Sequence, residues 1–409
     1  MKIEQKHIDQ IRQKFASMQS KEDLVSLLSE AKNLLYSKEC MPFELKSLTY
    51  YANPDLCKKR YAKFTIKKKS GGERTINAPV SGLKSILRSL NFILQCVYEP
   101  HDAATGFVLN KSIVDNARLH AGTHHVYNLD LKDFFHSFDR NRVKMGFISE
   151  PFNLKGVREP LAFLLASLCT HPFEVNGEIK NVLPQGSPTS PTITNILCKK
   201  LDRRLTGLAN RFGAKYSRYA DDITFSSPHN IYNNEEFIKE LNRIISEDNL
   251  LKINGNPKEI GPQLKINTDK TRLQKSVHRQ EVTGLIVNDK VNVRKRYVKL
   301  IRMWLYYWEK YGYEKAQQIF TKDYLADKGH VKKGKPNLIN VLDGKLEFLK
   351  MVKGVEDSTY KTLKERFEKL TQIKEKIQAE KVDLNAVIDT ILYKGLEQGI
   401  LLYDKYKST

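Results

Sequence analysis

What this chain has little of excludes a good deal. Its five cysteines (Cys40, Cys57, Cys96, Cys169 and Cys198) stand apart, with no C-x-x-C pair. That argues against a zinc ribbon and a disulfide framework and fits a reducing cytosol, so a cytoplasmic protein is expected. No apolar run approaches membrane-spanning length, and "MKIEQKHIDQIRQKF" at the start has no signal-type apolar core. No membrane partner is therefore expected. The sequence has no internal repeat, no G-x-x-x-x-G-K-[ST] loop and no Ser-His-Asp order. Acids are in deficit, 47 Asp and Glu against 69 Lys and Arg, which leaves a formal net charge of +22. Such an excess points to a polyanionic partner, most often nucleic acid. At 40 % hydrophobic and 28 % charged, the 409 residues are still those of a globular protein with room for two or three structural units.

The first fifty residues read as helical. Ser20 is an N-cap with Asp23 three residues on, and Leu24, Leu27, Leu28, Ala31 and Leu35 follow at helical spacing. Residues 61–80, "YAKFTIKKKSGGERTINAPV", read as a hairpin around Ser70-Gly71-Gly72. A helix with Leu83, Ile86, Leu87, Leu90, Leu94 and Val97 on one face should follow, with further helices near 192–209 and 234–247. Ser190 looks like an N-cap with Pro191 at the first helical position. Beyond about residue 290, Tyr297, Leu300, Ile301, Trp304, Leu305 and Trp308 form one helical stripe. Arg294, Lys295, Lys299 and Arg302 lie largely off it.

Against this basic background, "YSRYADDITF" (216–225) sets Asp221 beside Asp222 among strand-forming residues. Two adjacent carboxylates repel unless they bind cations. Mg²⁺ takes oxygen ligands, commonly one or two carboxylates plus substrate phosphates. A two-metal phosphoryl transfer draws carboxylates from more than one segment, and "VYNLDLKDFFHSF" offers Asp130 at the end of a buried strand.

These segments carry a resemblance. "YADD" looks like the Y-x-D-D box of reverse transcriptases, "LDLKDFF" resembles their first catalytic segment, and "LPQGSPTSP" (183–191) is similar to their P-Q-G-x-x-x-S-P segment. "KKKSGGERTINAP" resembles the fingers hairpin of the bacterial enzymes, and "LKINTDKTRL" their later palm segment. Two shorter matches narrow the subgroup: "NARLH" (116–120) fits the N-A-x-x-H signature of retron reverse transcriptases, and "VTG" (282–284) their V-T-G signature.

The resemblance implies an α+β, right-hand polymerase fold: a helical extension over 1–55, fingers and palm over 56–290 with an antiparallel sheet flanked by helices, and a basic helical thumb over 291–409. It implies RNA-directed DNA polymerase activity with two Mg²⁺ ions and dNTPs. Asp130, Asp221 and Asp222 would be the catalytic metal carboxylates. The nucleotide site would draw on Lys67, Lys69, Arg74, Asp133, Phe134, Phe135, Gln185, Gly186 and Lys270. Within it, Asp133 is either near the triphosphate path or a cap of the strand end. Phe135 is either an aromatic beneath the sugar or an ordinary core residue, and Lys270 either protonates pyrophosphate or only holds it. RNA contacts are expected from Asn116, Arg118, His120, Thr283, Gly284, Arg294, Lys295, Lys299 and Arg302, with packing at the fingers–palm junction the alternative for the two signatures. Retrons further imply a cognate structured non-coding RNA as template and 2′-hydroxyl primer, a branched RNA–DNA hybrid product (msDNA), an effector protein and antiphage defence. Other bacterial reverse transcriptases, or a non-catalytic RNA-binding scaffold, are the competing readings.

Overall fold

Ser20 acts as its place before the leucine pattern predicts. Its hydroxyl accepts from the Asp23 amide while the Asp23 carboxylate accepts from the Ser20 amide, a reciprocal cap that starts the helix Lys21–Tyr36. The computed structural model describes residues 4–67, 71–175, 177–253, 256–328 and 336–407, in two compact units, Met1–Lys290 and Val291–Thr409.

In the first unit, Leu24, Leu27, Leu28 and Ala31 bury against the helix Ser81–Val97, which presents Leu83, Ile86, Leu87, Leu90 and Leu94. Fully burying such a side chain stabilises the fold by about 1.5–3 kcal/mol. Between them, Tyr61–Lys67 pairs antiparallel with Glu73–Pro79, and Gly71 and Gly72 take positive φ at the turn. Lys69, a nucleotide-site candidate, lies outside the described residues.

Four antiparallel strands form the central sheet: β1 (His125–Asp130), β2 (Lys215–Tyr219), β3 (Asp222–Ser227) and β4 (Arg272–Lys275), in the order β4-β1-β3-β2. Directly opposed residues share a face, so the register sorts the side chains. Leu129 opposes Ile223, and Tyr216 opposes Phe225. That face is covered by the helices Lys199–Arg211 and Glu235–Ser246, through Leu201, Leu205, Phe237 and Leu241. The other face carries Asp130 opposite Asp222 and Asn128 opposite Thr224. It is polar, and Asn128 donates to the Thr224 hydroxyl (3.1 Å) and accepts from the Gln274 amide.

Two helix readings need correction. The element expected near 192–209 is two helices, Ser190–Leu197 and Lys199–Arg211, which meet at Cys198. Ser190 is not the cap but the first helical residue, after Thr189. Its hydroxyl instead donates to the Pro184 carbonyl (2.8 Å) and closes the preceding loop.

The second unit is helical. Lys295–Lys328 is broken at Gly312 (φ 76°, ψ 167°), and Leu338–Lys353, Ser358–Lys394 and Leu396–Lys407 follow. Ile301, Trp304, Leu305 and Trp308 are buried with Leu342, Leu346 and Phe367, and Arg294, Lys295, Lys299 and Arg302 are exposed.

Candidate active site

Tyr219 pairs with Asp222, so only Ala220 and Asp221 remain to turn the chain between β2 and β3. The loop ties back to the end of β1, because the Leu131 amide donates to the Asp221 carbonyl (3.0 Å). Asp130 ends β1 directly opposite Asp222, so three carboxylates from two segments crowd one end of the sheet's two inner strands. Their electrostatics register the crowding. Burial raises the Asp221 carboxyl above the usual range, and Asp130 raises it further. Burial, with Asp221 next, pushes Asp222 up to about 7, against the pull of Arg272. Asp130 is held by cation and amide: Lys270 Nζ donates to both its oxygens at 2.9 Å and Asn267 Nδ2 to one at 3.3 Å.

An open cavity of about 470 Å³ lies over these strand ends, lined by Arg74, Asp130, Asp133, Phe134, Phe135, Gln185, Asp221 and Lys270 among others. Most of the expected nucleotide-site residues thus converge there. Asp222 sits beside the cavity on its strand, and Lys67 is exposed at the end of the hairpin strand. Asp133 is exposed in the left-handed region (φ 47°) and opens the short helix Phe134–Ser137, but its side chain caps nothing. Phe134 is a core residue, packed edge-on against Phe138, whereas Phe135 is half-buried. The Gln185 carbonyl accepts from the Asn77 amide (2.8 Å). Gly186 has φ 118°, and a Cβ there would come within 2.8 Å of both the Asn77 oxygen and Ile76 Cγ2. Only glycine lets this loop lie against the hairpin.

Among the described residues, no group of three or more His, Cys, Asp or Glu side chains is arranged to hold a metal ion by itself. A hard cation shared between carboxylates and substrate phosphates needs none. Hard oxygen donors, two of them raised first by burial and then by a neighbouring carboxylate, suit a divalent cation, which would offset both effects.

The two short signatures meet each other. "VTG" forms the tight turn between Glu281–Val282 and Leu285–Ile286, with Thr283 (φ 47°) and Gly284 (φ 85°) both at positive φ. Thr283 donates to the Ile113 carbonyl (3.2 Å) of the helix Ile113–Leu119, which carries "NARL". Here the expected RNA contacts are corrected for two residues, because Asn116 and His120 are both fully buried. Asn116 accepts from the Thr105 hydroxyl (2.7 Å). His120 bridges the hydroxyls of Ser226 (2.8 Å) and Ser217 (2.7 Å), and burial lowers it to about 3, so the ring is neutral. His120 pins the helix to the sheet's polar face, Asn116 ties it to the Thr105 hydroxyl of the preceding loop, and neither side chain reaches solvent. Arg118 is exposed beside Asp115. Sequence reasoning missed Asn267 and Gly106. Asn267 lies within "LKINTDKTRL", but nothing in the sequence signals Gly106, whose missing side chain lets a distant segment approach Ala220.

Comparison with known proteins agrees with this geometry. The family model described as "Reverse transcriptase (RNA-dependent DNA polymerase)" matches residues 66–277. The retron Mx162 reverse transcriptase of Myxococcus xanthus is 39 % identical over 246 residues, 56 % of this chain and 47 % of that protein. The retron Mx65 reverse transcriptase of Myxococcus xanthus is 32 % identical over 304 residues, 72 % of this chain and 62 % of that protein. The retron Ec86 reverse transcriptase of Escherichia coli is 32 % identical over 251 residues, 59 % of this chain and 68 % of that protein. The chain therefore spans between about half and two thirds of these relatives' lengths. Among the described residues, no helix is long and apolar enough to cross a membrane. The fold is the α+β, right-hand polymerase fold, and the chain belongs to the reverse transcriptases, among their bacterial retron type.

Proposed function

We propose that this chain is an RNA-directed DNA polymerase that copies a cognate structured non-coding RNA. The observation that carries the reading is Asp130 opposite Asp222 with Asp221 at the adjoining turn, where Asp130 and Asp221 line a cavity together with Arg74 and Lys270. Two Mg²⁺ ions held by these carboxylates and triphosphate oxygens would lower the pKa of the attacking hydroxyl and neutralise the departing pyrophosphate.

The chain's own residues do the rest. Arg74 grips the triphosphate bidentately, and Lys67 and Lys69 add positive potential along its path. Lys270 orients Asp130 through both oxygens and stands where it can hold pyrophosphate. Phe135 fills the space a 2′-hydroxyl would need, which favours deoxynucleotides. Gln185 and Gly186 shape the pocket wall against the hairpin, and Asp133 borders its mouth.

Residues 1–55 serve as the helical extension, 56–290 as fingers and palm, and 291–409 as a thumb. The thumb's Arg294, Lys295, Lys299 and Arg302 track the phosphates of template and RNA–DNA product, as Arg118 does from the first unit. Synthesis starts from the RNA's own 2′-hydroxyl and leaves branched msDNA, in the cytoplasm, within an antiphage system that includes an effector protein. The retron names of the relatives support this finer reading.

The test is primer extension with and without divalent cation. Asp222→Asn should lose on the order of a hundredfold or more in rate while keeping RNA affinity, which rests on distributed phosphate contacts. Near-normal extension by that variant would overturn the metal assignment. Sequencing nucleic acid that copurifies with the protein tests the retron product directly: a branched RNA–DNA molecule supports it, and unbranched RNA alone opposes it.

A further inference from the structure

The turn that presents Asp221 is held in a conformation its own residue disfavours. Ala220 has φ 57°, the left-handed region where a Cβ is crowded and where non-glycine residues persist only if their surroundings impose it. Two neighbours do so. Arg218 is fully buried, and its Nη1 donates to the Ala220 carbonyl at 3.1 Å. Gly106 packs closely against the same residue: a Cβ at position 106 would lie 2.7 Å from the Ala220 nitrogen. Asn195 links the two, accepting from Arg218 Nη2 (3.1 Å) and donating to the Gly106 carbonyl (2.8 Å).

The rest of the guanidinium is fixed. Nε and Nη2 donate to the two oxygens of Asp202 at 2.8 and 2.7 Å, and Tyr216 donates to the same carboxylate at 2.8 Å. A buried ion pair is a poor device for stability alone, because apolar residues of similar volume often serve as well. What an apolar residue cannot do is hold a carbonyl. Asp202 neutralises the charge and sets the plane of the fork, which leaves one edge aimed at the turn.

We propose that Arg218 is a positioning residue for Asp221. Its guanidinium, locked by Asp202, holds the Ala220 carbonyl and keeps the turn in the left-handed conformation that sets Asp221 beside Asp130. The inference rests on the proposed role of Asp221 as a metal carboxylate.

The experiment compares Arg218→Lys, Ala220→Gly and the double variant, with Asp221→Asn in parallel. Each is measured for kcat in extension of an annealed primer, for Mn²⁺ affinity by calorimetry without nucleic acid, and for folded fraction by urea titration. Arg218→Lys keeps the charge but loses the fork, and kcat should fall about tenfold or more with a severalfold weaker Mn²⁺ affinity in the folded protein. Adding Ala220→Gly should recover much of both losses, because glycine adopts positive φ without a clamp. A purely structural ion pair predicts otherwise: activity would track the folded fraction, glycine would rescue nothing, and the proposal would be overturned. If Arg218→Lys does not fold, Asn195→Ala with and without Ala220→Gly makes the same comparison. Wild-type activity in Asp221→Asn would remove the reading beneath the proposal. An inactive Asp221→Asn alongside an Arg218→Lys with unchanged kcat and Mn²⁺ affinity would overturn the positioning role alone.

Discussion

The two faces of the central sheet are built from alternate residues of the same strands, yet they answer to different physics. On one face Leu129, Ile223 and Phe225 disappear beneath two helices, and Phe225 meets Phe237 edge-on with ring centroids 5.5 Å apart. Its contribution is burial, roughly proportional to area and tolerant of exact angles. On the other face Asp130, Asn128, Asp222 and Thr224 form a polar row. At its far end His120 takes up both Ser217 and Ser226. Its near end leaves three carboxylates together, two of them raised first by burial and then by a neighbouring carboxylate. Stability sits on the first face, and on the second a cost is retained where the chemistry is proposed.

The comparison can be broken in several ways. Phe225→Ala should cost about 3–5 kcal/mol in urea unfolding, with primer extension per folded molecule little changed. Lost specific activity in the folded fraction would show that the faces are not separable. Asp222→Asn is the mirror case. Along with its hundredfold loss of rate, it should raise stability without divalent cation above pH 7 by about 1–3 kcal/mol, because the penalised carboxylate is gone. A lower melting temperature in EDTA would mean that the crowding is not a strain.

His120 sharpens the contrast within the polar face. Its folded pKa is depressed to about 3, below the ordinary histidine value near 6.5, so the stabilising effect of the neutral ring is present above pH 6.5. It is lost as pH falls toward 3, by about 2–3 kcal/mol between pH 7 and 4.5. His120→Gln should flatten that part of the stability–pH curve, and an unchanged slope would assign the acid sensitivity elsewhere. By the same reasoning, His120→Ala with Asn116→Ala should melt earlier and reduce self-primed and generic synthesis in parallel. Selective loss on the cognate RNA would instead restore a recognition role. The smallest effect is expected at Phe135. Phe135→Ala should raise the ratio of ribonucleotide to deoxynucleotide kcat/KM by about tenfold, because removing bulk relieves only a steric term. A constant ratio in a folded, active variant would make Phe135 a packing residue.

Much of this was legible in the chain alone, where the signal is local. Ser20 and Asp23 are three residues apart, the Gly71-Gly72 turn sits inside its own hairpin, and the tryptophan stripe repeats at helical spacing. The carboxylates were readable for a related reason, since two adjacent anions in an apolar run of a basic chain conflict with their surroundings unless a cation is involved. What only the tertiary structure decided are the contacts between distant segments. That Asn116 and His120 turn inward and not to solvent depends on where their helix docks. Gly186 needs no side chain because of the Asn77 carbonyl, over a hundred positions earlier, and Gly106 because of Ala220. Arg218 looks like one more basic residue until Asp202, Asn195 and Ala220 surround it. Periodicity and capping are written in neighbouring residues, but whether a polar side chain spends its hydrogen bonds inward or outward is settled by partners that packing alone brings together.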